Sequence, residues 1–428
     1  MTAARTPAPS RSWRVAAVLL LVGIACGEWA LGQAFDSRHA FDFYNVLFDA
    51  DANVRVWVFS SGWGDYSLVH PWGWLPSLPI RAYAMVSTAL ASAPSALPLR
   101  REAALVFLPA CAALSSGLML TIAWRAGLGP ARAMLAAALF GCSFAQVLFG
   151  SMPEYPVLSG ATVAMVLALL AWECAEGRPA PTWVWLLAVL VCAGVTATNA
   201  VPAVAAFVVS RRAARWPWRA VAVRVLGVCA VGGAVSVAGL VVGKLAYRPQ
   251  PVDVTAVVAR YSNTLTTFSV VGRFPVALSS SVLPRSPSVV GNPLARRSGG
   301  RDIGFSLEPH GWRDVMAPAV WIVLLVVGLG AWSALRARDA WSPVTVAALI
   351  VMAHNWLVHS FYGSELVLFA ANWTPALGVL VIALLRPARG RWAPASTVAL
   401  LAAALTIGSV TAIRVGYVLQ QLGPLAHR

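Results

Sequence analysis

A chain of 428 residues that is 59% hydrophobic and only 11% charged, with mean hydropathy +0.72, is no soluble domain, because soluble domains carry about 25% charged residues. Its net charge of +16 does not mark a nucleic-acid binder: all but Lys244 of the 32 cations are arginines, about half of them lie in short segments between apolar runs, and no soluble stretch interleaves basic with aromatic residues. Cys26, Cys111, Cys142, Cys174, Cys192 and Cys229 all fall in apolar runs, with neither metal-ligand spacing nor a disulfide framework, and read as small buried residues.

Apolar runs of about 20 residues recur along the chain and predict an all-α polytopic membrane protein, since lipid offers no partner to backbone groups left outside a helix. The short alternating segments of a β-barrel are absent. Arg5, Arg11 and Arg14 precede the first run, 13–32. Gly23-Ile24-Ala25-Cys26 is only faintly similar to a lipoprotein cleavage box, with Gly23 where leucine is expected, and the run continues through Trp29-Ala30-Leu31; an uncleaved first helix is expected. Further spans are predicted at 102–124, 131–149, 157–175, 182–198, 200–210, 222–245, 314–335, 341–359, 366–386 and 394–413, about eleven in all. The 200–210 run is short for a crossing, so it either continues into 211–219 or forms a bent hairpin with its predecessor around Asn199. Segment 79–98 is apolar but holds Arg81 and several prolines, and is expected to lie along the membrane surface.

The arginines orient these spans. Arg125, Arg132, Arg178, Arg211, Arg212, Arg336 and Arg386 fall on the side of the N-terminus, while the short connections near 150–156, 199 and 360–365 hold none. By the positive-inside rule the N-terminus is cytoplasmic. One integral-membrane domain, 1–428, then carries two large extracytoplasmic segments, 33–101 and 246–313. The second is rich in Ser, Pro, Gly and Arg and reads as a loop. Abundant alanine and arginine with a single lysine is the composition of a GC-rich bacterial genome, which points to a bacterial cytoplasmic membrane.

All of the 16 carboxylates except Glu173, Glu176 and Asp339 fall outside in this arrangement. Acids contribute little to topology, so their bias marks something outside that uses carboxylates. Asp49 and Asp51, two apart, share a face only in extended structure, and their mutual repulsion suits a base with an orienting partner. A solvated acidic turn is the plainer alternative. With His70 they also suit a divalent cation such as Mg or Mn, although the spacing matches no specific site. Glu154 and Tyr155, Asn199, and His359 to Glu365 bring further polar groups to the same side. Lys244, Arg260 and Arg273 lie outside against the positive-inside trend, so they either meet a phosphate or belong to a solvated basic loop.

The Phe48-Asp49-Ala50-Asp51-Ala52-Asn53-Val54-Arg55 motif, with His70-Pro71, Pro153-Glu154-Tyr155, Thr198-Asn199 and His359–Glu365, resembles the GT-C superfamily of membrane glycosyltransferases over most of 13–386. Several relatives carry adjacent Asp-Glu where this chain has Asp-Ala-Asp. The resemblance implies inverting transfer of a sugar from a polyprenyl phosphate donor to a hydroxyl of a glycan, lipid or protein acceptor. Asp49 or Asp51 would be the base. His70, Glu154, Tyr155, Asn199, His359 and Glu365 would orient donor or acceptor, and Lys244, Arg260 and Arg273 would hold the phosphate. A transporter or flippase of a lipid-linked or small anionic substrate is the main rival, weakened by spans nearly free of charge at their centres, where His354 is the deepest titratable group. A non-catalytic envelope-assembly subunit is the other.

Overall fold

The computed structural model describes residues 10–41, 97–246, 266–291, 303–306, 311–337, 339–361, 366–386 and 392–426. Asp49, Asp51, His70, Arg260 and Glu365 lie outside them, as do residues 79–96 of the expected surface segment. The described chain is a helical bundle. Seven of its helices are long and apolar enough to cross a membrane, or nine if each of two bent pairs is one span, so this is a polytopic helical membrane protein.

The first helix, α1 (Arg11–Asp36), starts where the Ser10 hydroxyl accepts from the Trp13 N–H at 3.2 Å. It is followed by α2 (Leu97–Arg125), then by α3 (Pro130–Gly141) and α4 (Phe144–Gly150), which are bent by 63°. The bend has a backbone cause. The Ala145 N–H, which an unbroken helix would direct to Gly141, donates instead to the Ser281 carbonyl at 2.9 Å. An interrupted helix survives in a membrane only where such a partner is at hand. The α5 helix (Pro156–Glu176) opens on a proline and ends on Gly177 at φ 67, a left-handed stop that suits glycine.

Two 14-residue helices, α6 (Thr182–Val195) and α7 (Ala200–Ala213), are joined by a 3₁₀ turn at Ala197–Asn199. The short 200–210 run is thus one arm of a bent hairpin around Asn199, lengthened to Ala213. After α8 (Trp218–Ala246) comes the segment 266–291, where the loop expectation fails. A π turn (Phe268–Gly272) leads into α9 (Arg273–Ser280), all of which is buried except Pro275. Strands β1 (Ser288–Gly291) and β2 (Ile303–Ser306) then pair antiparallel. Its Ser and Arg content suggested solvent, but Phe274, Val276, Ala277 and Leu278 supply an apolar face that buries against the helices.

The short α10 (Trp312–Val315) is tied back by the Arg285–Asp314 ion pair at 2.5 Å. Next come α11 (Pro318–Ala337) and α12 (Ser342–Phe361). A 3₁₀ helix (Leu366–Asn372) meets α13 (Thr374–Leu385) at 55°, with Pro375 in the first turn of α13, and α14 (Ala393–Ala426) closes the described chain. The α5 helix is the most enclosed span, whereas α1, α8, α11 and α14 expose Leu19, Leu226, Leu325 and Leu405 where acyl chains would lie.

The central packing is close. A Cβ added at Gly160 of α5 would lie 2.5 Å from the Ala371 carbonyl oxygen, a backbone atom with little room to yield. Gly160→Ala is expected to destabilise the protein by about 1–3 kcal/mol. Gly27→Ala, with nothing within 4 Å, serves as the neutral control. Thermal melts of the detergent-solubilised variants check this, and coincident melts would show that the two backbones are not in contact.

Candidate functional site

The bundle has two chemically different ends. At the first, each carboxylate is matched to an arginine. Arg125 pairs with Glu176 at 2.5 Å, Arg386 with Asp339 at 2.7 Å, and Arg211 approaches Glu173 at 3.7 Å. Glu173 is the hub: it accepts from the Ala180 N–H at 2.6 Å, the Trp185 indole at 2.7 Å and the Ser210 hydroxyl at 2.5 Å. Arg211, fully buried, donates to the Ala180 carbonyl at 2.6 Å and lies over the Phe207 and Trp216 rings. Here the charges act as internal clamps between helix ends.

The opposite end is built around the α4–α5 junction. Gly32 of α1 packs against the Ser151 carbonyl, where an added Cβ would come within 2.9 Å. Ser151 opens the turn that carries Glu154 and Tyr155, both buried, and one Glu154 carboxylate oxygen accepts from the Tyr155 N–H at 2.7 Å. One turn into α5, Ser159 accepts from the Asn199 amide at 2.6 Å, which ties the α6–α7 hairpin to this end. Gly160 then meets the 366–372 turn. From that turn Phe369 stacks on the His359 imidazole at 4.6 Å, and Trp373 meets it edge-on at 5.6 Å. Trp373 also contacts Phe274 at 5.1 Å, the neighbour in sequence of Arg273, which is 8% exposed. Of the residues expected in a site, Glu154, Tyr155, Asn199, His359 and Arg273 are therefore gathered at one end and buried. Lys244 falls in the last turn of α8, its side chain outside what is described.

Three groups here escaped sequence reasoning as site residues. The Trp373 indole N–H and the Asn372 side-chain oxygen, on adjacent buried residues, have no hydrogen-bond partner among the described residues. An unpaired buried donor beside an unpaired acceptor suits a hydroxyl-bearing ligand or a bound water. The third is Glu28, 3% exposed with both carboxyl oxygens unpaired among the described residues, lying so close to Gly150 that a Cβ there would collide with it. Glu28 is the one acid in the apolar stretch of α1, which is a signal in itself, but its burial depends on α2 and α4 closing over it. Among the described residues, buried charge is thus confined to the outer parts of the helices, with Glu28 towards the end of α1, Glu173 near the end of α5 and Arg211 in the last turn of α7.

A buried carboxyl without partners destabilises its host. Glu28→Met, of similar volume, is expected to raise stability by roughly 1–3 kcal/mol. A lower melting temperature would mean that Glu28 is satisfied by something it binds. Among the described residues no group of three His, Cys, Asp or Glu gathers to hold a metal ion. The Asp49, Asp51 and His70 cation expectation concerns residues outside that set. Comparison with protein-family models, with curated proteins and with solved structures finds no match to this chain.

Proposed function

We propose that the protein is an integral-membrane glycosyltransferase of GT-C-like architecture, moving a sugar from a polyprenyl phosphate donor to an acceptor hydroxyl at the Glu154 end of the bundle. Counting α6 and α7 as short crossings makes eleven spans. The arginine-clamped end is then cytoplasmic and the Glu154 end extracytoplasmic, in the membrane of a bacterium. Nucleotide sugars are cytoplasmic, so an outward site needs a lipid-carried donor.

The observation that supports this reading is the cluster at Trp373. The aromatic rings of Phe369 and Trp373 flank His359, a donor and an acceptor on adjacent residues lack hydrogen-bond partners among the described residues, and Phe274, which contacts Trp373, directly follows the buried Arg273 in α9. Aromatic rings beside unmatched hydrogen-bonding groups suit a sugar, and an arginine at the same end of the bundle suits a phosphate. The segment bearing Asp49 and Asp51 follows directly after Phe41, close in sequence to the end of α1. A phosphate already leaves readily, so the reaction needs mainly a base to take the acceptor proton as the hydroxyl attacks the anomeric carbon from the opposite face. Inversion follows.

Proteoliposomes supplied with labelled polyprenyl phosphate sugars and crude envelope acceptors test it. Label is expected to transfer, and Trp373→Phe, which removes the indole N–H and keeps an aromatic ring, is expected to slow it. Cysteines placed at Ala50 and Gly363 are expected to react with an impermeant reagent from outside; labelling from the cytoplasm would reverse the orientation.

One observation favours a second reading. Glu28 is a buried carboxyl on a helix long and apolar enough to cross a membrane, the setting in which ion-coupled transporters carry acids. A transporter predicts gradient-driven uptake into liposomes that Glu28→Met abolishes and replacement of Asp49 and Asp51 leaves intact.

A further inference from the structure

At the arginine-clamped end, α5, α7 and α12 enclose a groove of about 670 Å³. Its mouth carries Arg178, Arg212 and Trp218, and its floor is Leu170, Val208, Val209 and Val346. We infer that this groove binds an anionic membrane phospholipid, phosphate at the mouth and an acyl chain along the floor.

Charge carries the argument. Two acids also line the groove, yet both are matched: Glu173 by Ser210, Trp185, Ala180 and the approach of Arg211, and Asp339 by Arg386 and the Trp341 N–H at 2.9 Å. Among the described residues, neither Arg178 nor Arg212 has an acidic partner. The Arg212 guanidinium sits 4.3 Å over the Trp218 ring and donates one N–H to the Trp216 carbonyl at 2.6 Å, while Arg178 lies 5.6 Å over the Trp172 ring. Each head is steadied by an aromatic ring and keeps N–H donors for phosphate oxygens. Trp218, 62% exposed, sits where an interfacial tryptophan belongs, so the mouth is at headgroup level. Basic pockets between spans at this level take lipid headgroups. A free anion would use the mouth alone; a phospholipid uses the mouth and the apolar floor. The inference does not depend on the proposed transferase activity.

Phosphatidylglycerol is titrated into the full-length protein held in phosphatidylcholine nanodiscs, with retained lipid read by native mass spectrometry and the melting midpoint followed in parallel. Wild type is expected to retain phosphatidylglycerol and melt higher. The double variant Arg178→Gln/Arg212→Gln is expected to bind it about ten- to thirtyfold more weakly. Val346→Trp, which fills the floor and leaves both arginines, is expected to weaken it too. It decides alone if the double variant melts early in phosphatidylcholine. Equal retention by wild type and variants overturns the proposal. So does a midpoint rise with inorganic phosphate equal to that with phosphatidylglycerol, which would mark a free-anion site.

Discussion

Glu173→Ala is expected to destabilise the protein by about 3–5 kcal/mol, the range for removing one partner of a buried ion pair. Three groups lose their acceptor at once, the Ala180 N–H, the Trp185 indole and the Ser210 hydroxyl, and the Arg211 guanidinium loses its counter-charge. Arg211 has no exposure through which to recover water, and two of its nitrogens already lack hydrogen-bond partners among the described residues. The loss should therefore show in the melting of detergent-solubilised protein. Glu173→Gln, which keeps an acceptor for Trp185, should lie between alanine and wild type. Glu173→Leu with Arg211→Met should recover much of the deficit, because an apolar pair of similar volume leaves no stranded charge. A double variant as unstable as Glu173→Ala would show that hydrogen bonds to Glu173, and not its charge, hold α5, α6 and α7 together.

Replacing the base of the proposed reaction should lower transfer about 10²–10⁴-fold. Asp49→Asn and Asp51→Asn preserve size and remove the proton acceptor, so one of them is expected to show the full loss in kcat. The other, if it only orients, should show a smaller one. The assay is release of label from a polyprenyl phosphate sugar in proteoliposomes, with expression and melting matched to wild type. Full activity in the double replacement would end the general-base proposal. The Glu28→Met protein separates the readings further: unchanged transfer with raised stability makes Glu28 a structural burden, whereas lost gradient-driven uptake makes it a transport group.

The amino-acid order carries much of the fold on its face. Charge scarcity in 13–32 or 222–245 names a span without tertiary information, because lipid imposes its condition on each segment separately. Glu154, Asn199, His359 and Arg273 are expected at one end because each terminates or follows an apolar run, and the described bundle gathers them there. The α9 segment cannot be read this way. Its serines and Arg273 resemble loop composition, and only the apolar neighbours supplied by other helices make burial favourable.

Sequence alone therefore determined that the molecule is a polytopic helical membrane protein and where its long apolar helices run, both properties of local composition meeting a layered solvent. Tertiary structure decided what composition cannot carry. It brought Glu173 to Ser210, 37 residues further along the chain, and to Arg211 beside it. It bent the α3–α4 span by giving Ala145 a carbonyl from Ser281, and it left the Glu28 carboxyl and the Trp373 indole N–H without hydrogen-bond partners among the described residues. Pairing and its failure depend on distances between segments remote in sequence, and those distances exist only after the helices pack.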